Sequence, residues 1–169
     1  MMKKKAQVWI ETVLYTIVGL AIIGIVLGVV MPKINESKDN IVVEQSIEAL
    51  KTLDQKILDV SKETGSRGII DFKIKRGYLM IDGPADNITL VVDDLSSLYS
   101  EENVTIQDGN VQILSNKGQK KNLVRLTLSY GLNITYLGKD EQKKLTSAPL
   151  AYRLLIENKN SGQIDISGG

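Results

Sequence analysis

The sequence contains neither cysteine nor histidine. Their absence removes thiol nucleophiles, disulfides, imidazole-based triads and nearly every structural zinc site together. Lack of cysteine does not decide the compartment, because a disulfide-free exported protein is permitted. Aromatic residues make up 5%, with one Trp and one Phe, so no stacking platform for nucleic acid or sugar is visible. Neither sign of charge is in excess: 21 Lys+Arg stand against 20 Asp+Glu, a formal net charge of +1. A dedicated nucleic-acid binder normally carries a basic surplus, so no nucleic acid is expected among the partners. Composition alone leaves an enzyme open but without its commonest tools.

What is present is unevenly distributed along the 169 residues. Residues 12–31, TVLYTIVGLAIIGIVLGVVM, run for 20 positions without a charge. As a helix rising about 1.5 Å per residue, this run is roughly 30 Å long, the thickness of a bilayer's hydrocarbon core. Charges return directly after Met31 and persist to the end, a layout with one N-terminal membrane span. Lys3, Lys4 and Lys5 before the run place the N-terminus inside and the remainder outside, with Lys33 and Lys38 softening the asymmetry. The run is longer than the apolar core of a secretory signal and is followed by VVMPKIN, not by a small-x-small site. A retained anchor therefore fits better than a signal removed whole.

Asn-x-Ser/Thr acceptor triplets at Asn35, Asn87, Asn103 and Asn133 agree with the outside placement of the body. Their number exceeds what random order of these residues would give. Strand-rich sequences favour Thr, however, so at least one of these sites is expected to be a plain surface Asn.

One charge, Glu11, stands at the entrance to the apolar run. A carboxylate near hydrocarbon costs several kcal/mol unless it finds a partner, which marks it as a functional candidate; the alternative is a residue at headgroup depth that faces water. Its surroundings, KKKAQVWIETVLY, combine a short cationic leader, Ala6, Gln7, Glu11 and then the apolar helix. This order resembles the class III signal of archaeal type IV pilin-like proteins, whose processed N-terminus reads Gln-x-Ser-x-Glu-x-x-x-Leu. Gln7 and Glu11 match the first and fifth positions of that pattern, whereas Trp9 replaces Ser and Tyr15 replaces Leu. The resemblance covers roughly residues 3 to 31.

The resemblance implies cleavage by a membrane peptidase between Ala6 and Gln7, with Lys5 as the basic residue before the cut. Loss of the six leader residues, three of them lysine, takes the side-chain balance from +1 to −2. It also implies that the Glu11 carboxylate pairs with the free α-amine of a neighbouring subunit during filament assembly. Such a pair adds little stability but fixes register, because a misaligned neighbour leaves both charges unpaired. Cyclisation of Gln7 would remove that amine, and the sequence leaves this open. Further implied partners are an assembly ATPase and a polytopic platform protein. Lipid is as apolar as a helix bundle, so extraction from the membrane requires an outside energy source.

Within the span, Gly24 and Gly28 form a G-x-x-x-G that permits close helix packing. Pro32 lacks a backbone donor, and a bend or local melting is expected near residues 28–34. Residues 34–64 then read as an amphipathic helix: Val43, Ile47, Leu50, Leu53, Ile57 and Val60 recur at gaps of three and four, and Gly65 is the stop signal.

The remainder reads as strands. Ile70, Phe72 and Ile74 alternate with Asp71, Lys73 and Lys75; residues 78–81 follow Gly77, and residues 88–92 form a more buried run. An Asp108-Gly109 loop predicts a hairpin pairing Ile106 with Val111 and Val104 with Ile113. Val124, Leu126, Leu128 and Tyr130 make another strand. Leu132, Ile134 and Tyr136 follow, with Asn133 and Thr135 on the opposite, wet face. Residues 139–144 are expected as a charged loop or short helix, and Tyr152, Leu154, Ile156 and then Ile164, Ile166 as the last strands. The doubled acids Asp93-Asp94 and Glu101-Glu102 lack an ordered calcium-loop pattern and read as solvated loop charge.

The expected fold is α+β: a long N-terminal helix, membrane span continuing into amphipathic helix, packed against an antiparallel β-rich globular head. The expected boundaries are a leader at 1–6, an apolar helix at 7–31, an amphipathic helix at 32–65 and an extracellular head at 66–169. The expected function is structural: a homo-oligomeric surface filament subunit, glycosylated, with no catalytic residue, cofactor or metal. Two alternatives stand beside it. One is a minor pilin or pseudopilin of an assembly or secretion system; the other is an uncleaved, signal-anchored binding domain. An archaellin is disfavoured because that family usually lacks a carboxylate at the fifth processed position.

Overall fold

The computed structural model describes the backbone of residues 2–160 and 162–168, and the side chains of residues 8–160 and 162–168. Among the described residues, helix α1 (Met2–Ser61) is followed by ten strands, an α+β fold. It divides into two compact units, one ending at Lys38 and the other beginning at Asp39.

In the first unit α1 runs without interruption through residues 28–34, and Pro32 lies inside it. The melting expected there does not occur. A proline removes one backbone bond, the one to the carbonyl four residues back, and clashes with that same carbonyl. Here that residue is Gly28, and the bonds on either side keep the helix continuous.

In the second unit the predicted stripe is the helix's buried face: Val43, Ile47, Leu50, Leu53, Ile57 and Val60 all belong to the core. The helix stops at Ser61, three residues earlier than the sequence suggests, and Gly65 follows at a φ of 82°. The last turn leaves orphan carbonyls. Asn158 takes three carbonyls in this region, donating its side-chain amide to Val60 (3.2 Å), Ser61 (3.1 Å) and Glu63 (3.1 Å).

The strands form two sheets. The smaller comprises β1 (Arg67–Phe72), β9 (Tyr152–Asn160), β10 (Gln163–Gly168) and β7 (Asn133–Tyr136), in that spatial order. The larger has the order β4 (Thr105–Asp108), β5 (Val111–Asn116), β6 (Asn122–Ser129), β3 (Asn87–Leu95), β2 (Tyr78–Asp82) and β8 (Gln142–Thr146). Pairing is antiparallel except between β10 and β7, which run parallel. Leu79, Ile81, Ile88, Leu90, Leu126 and Leu128 from the larger sheet join Phe72, Leu154, Ile156, Ile164 and the helix stripe in one apolar cluster. Ile74 is buried in that cluster but lies beyond the end of β1.

Three strand expectations need correction. The hairpin forms, but Asp108 pairs with Val111 and Ile106 with Ile113, so the loop is Gly109-Asn110. Of these two, only Gly109 has positive φ (62°), as a two-residue loop with glycine first requires. The loop moves by one residue; Ile106 keeps an apolar partner in Ile113, while Val111 faces Asp108. Thr135 is buried, not wet, because its hydroxyl donates to the Asp165 carboxylate at 2.8 Å within the same sheet. A buried hydroxyl is tolerable once it is hydrogen-bonded. Residues 142–146, expected partly as loop or helix, are edge strand β8 on β2; Leu145 is its buried anchor, and its lysines stay in water.

Candidate functional site

The first candidate is the N-terminal part of α1. It is long and apolar enough to cross a membrane by length and composition. Trp9, Leu14, Tyr15, Leu20, Ile25 and Val29 are all exposed. The threonine hydroxyls in this segment turn inward: Thr12 donates to the Val8 carbonyl at 2.9 Å and Thr16 to the Thr12 carbonyl at 2.8 Å. Both side chains thereby satisfy their donors on their own helix. Nothing approaches within 4 Å of where a side chain would start at Gly24 or Gly28. Glu11 is exposed at the head of this apolar surface. Lys5, Ala6 and Gln7, the expected cleavage residues, lie outside the residues whose side chains are described.

The second unit holds its stretch of α1 through buried polar groups as well as through the apolar stripe. Asp39 accepts from the Arg76 guanidinium at 2.6 Å and from the Ser96 backbone N–H at 2.7 Å, and its carboxylate also takes the Ser96 hydroxyl. Burial pushes its pKa up, but the Ser96 hydrogen bonds and Arg76 outweigh that and hold it below the ordinary carboxylate value. One helix face further on, Asp54 accepts from the Tyr130 hydroxyl at 3.0 Å and the Asn110 amide at 2.8 Å. Burial first, and then the Asp54 charge, push the Tyr130 phenol well above its usual range. Lys51 pairs with Asp108 at 2.9 Å, so both the hairpin strand and its loop touch the helix. A signal for these anchors was present: Asp39 and Asp54 sit four residues before Val43 and four after Leu50, within the apolar stripe itself.

The acceptor sites divide by exposure. Asn35, Asn103 and Asn133 are exposed, whereas Asn87 is half-buried and its side-chain oxygen accepts from the Thr89 hydroxyl at 3.4 Å. Asn103 holds a left-handed backbone (φ 60°) and accepts from the Asn116 amide at 2.8 Å.

The doubled acids are not assembled into a site. Among the described residues no group of three potential metal ligands comes together. Asp94 faces Lys121 at 3.7 Å, while Glu101 and Glu102 are exposed ahead of β4. A shallow cavity of about 180 Å3 lies at the β7–β8 turn, lined by Tyr136, Leu137, Lys139, Glu141, Gln142 and Lys143. Compared with known proteins, the chain matches no family model, no curated protein and no solved structure.

Proposed function

We propose that this chain is a structural subunit of an archaeal type IV pilus-like surface filament. The observation that supports the reading best is the contrast within a single helix. Its packed portion, from Asp39 onward, buries Val43, Leu50, Leu53 and Ile57, while residues such as Leu14, Leu20 and Ile25 present an apolar surface that the described residues do not cover. Exposed apolar side chains at this density require lipid or other helices around them. The sequence ahead of that surface, with Lys5, Ala6, Gln7 and Glu11, supplies the processing and register elements of the reading.

In this mechanism the chain inserts with its N-terminus inside, a prepilin-type peptidase removes residues 1–6, and an assembly ATPase acts through a platform protein to drive extraction. The apolar helices exchange lipid for identical neighbours. Glu11 pairs with the neighbour's new α-amine, and the sugar-bearing head stays outside. The role is structural and needs neither cofactor nor metal.

The test is the mass of the N-terminal peptide from native membranes and from sheared surface material. A peptide beginning at Gln7 in sheared material supports the filament. A peptide that keeps Lys3, Lys4 and Lys5 replaces it with an uncut anchored ectodomain. Cleaved protein confined to short, scarce assemblies indicates a minor subunit or pseudopilin.

A further inference from the structure

Two places are unusual: one free edge of the larger sheet, and the turn that leads into its opposite edge strand. At one edge β4 is exposed at every residue. Val104 and Ile106 there are 44% and 43% exposed. Glu101, Glu102 and Asp108 flank them with no base between residues 101 and 109. An edge strand with exposed aliphatics and no lysine or proline is a template for pairing with another chain.

At the other edge, β8 is preceded by a tight turn at Leu137-Gly138. Leu137 has a φ of 54°, a left-handed conformation that a bulky side chain adopts only under compulsion. The compulsion is visible: the Gly138 N–H donates to the buried Asp165 carboxylate at 2.6 Å, and the Leu137 N–H to the Ile166 carbonyl at 3.0 Å. Yet Leu137 is 61% exposed, so packing within its own chain does little to offset that cost. Beside it lies the shallow cavity described above, with Lys139 and Lys143 on its rim. Lys143 and Lys144 lie over the Tyr136 and Tyr78 rings at 5.3 and 3.8 Å, which orients the charges of this edge.

We propose that the β4 edge of one copy docks on the β7–β8 turn and β8 edge of a second copy. Ile106 and Val104 would meet Leu137 and its cavity, and Glu101 and Glu102 would face Lys139 and Lys143. Charge selects the pairing: β4 against a second β4 opposes acid to acid, whereas β8 brings lysine, although Asp140 and Glu141 dilute it. Asp108 is already paired with Lys51 and contributes less. The contact is head-to-tail, because each copy offers both edges, so it propagates instead of closing on a pair. The strained leucine is thus kept for a surface outside its own chain.

The absence of native cysteine makes the test clean. Full-length protein carrying Thr105→Cys on β4 together with Gln142→Cys on β8 is oxidised in its membranes. The two edge strands are five strand spacings apart, about 24 Å, whereas a disulfide needs Cα atoms within about 7 Å, so only different copies can join. The expected result is a ladder of dimers, trimers and longer species, with either single variant remaining monomeric. No ladder, or dimers from Thr105→Cys alone, overturns the proposal. Both positions are exposed on edge strands and leave Leu137 and Ile106 in place, so loss of fold does not confound the result.

In the same background Glu101→Lys with Glu102→Lys should lower the multimer yield about tenfold, and adding Lys139→Glu with Lys143→Glu should restore it. An unchanged yield after the first reversal sinks the charge match. Leu137→Asn should raise the unfolding midpoint while reducing association, a combination that a purely structural leucine would not give. The inference does not rest on the filament. A ladder in membranes whose protein keeps its lysine leader retains the contact and removes the filament, and processed filaments without a ladder do the reverse.

Discussion

Asp39 shows how much one residue carries where the packed part of α1 begins. Its folded carboxyl titrates below its ordinary value of 3.8, so its extra stability is present above that value and is lost as the pH falls through it toward the folded pKa. Asp39→Asn should therefore cost about 2 kcal/mol at neutral pH and less once the pH is brought below 3.8, read by thermal unfolding at the two pH values. An equal loss at both would remove the charge from the explanation. Asn158→Ala leaves the carbonyls of Val60, Ser61 and Glu63 without that donor and should lower stability by about 1–3 kcal/mol in a denaturant titration. Leu137→Asn runs the other way, with an expected gain of about 1 kcal/mol from relief of the left-handed leucine. Asp39 was legible in principle, as an acid in register with an apolar stripe. Asn158 was not, because its partners lie more than 90 residues away in sequence.

For elements, periodicity was a good guide wherever burial on one side enforces it. The stripe from Val43 to Val60 is the clearest instance, and Leu53→Ala should destabilise the head by about 2–5 kcal/mol. Ile25→Ala, on the exposed apolar segment, should leave head unfolding unchanged; parallel denaturation of both variants in detergent checks the contrast. The hairpin was legible as a hairpin but not in its register, since glycine suits either loop position until the turn geometry selects one. β8 was not legible: a single buried leucine among lysines gives no alternation, and only pairing with β2 makes it a strand. Thr135 was misplaced for a related reason. At a sheet edge with a parallel neighbour, both Ile134 and Thr135 are buried, so the period of two fails.

For the whole molecule, the proposed filament predicts that Glu11→Ala is still cleaved at Gln7 but fails to assemble. Normal filaments from that variant, counted by electron microscopy, would end the register role of Glu11. Glycan occupancy offers an independent check on the outside placement. Glycopeptide masses should show sugar at Asn35 or Asn133 more fully than at half-buried Asn87, whose oxygen is already engaged by Thr89, while Asn103, inside the proposed β4 contact, should stay bare.

Residues 12–31 determine by composition alone that the chain begins with an apolar helix of membrane length, and the gaps of the Val43 stripe determine that the same helix goes on to cover a core. Both are local properties, encoded in neighbours three and four positions apart. Strand order, the parallel β10–β7 pair, the Asn158 cap and the strained Leu137 turn were decided only when the chain closed on itself. Each depends on backbone groups far apart in sequence finding their hydrogen-bond partners together, and no local pattern records which distant partner that is.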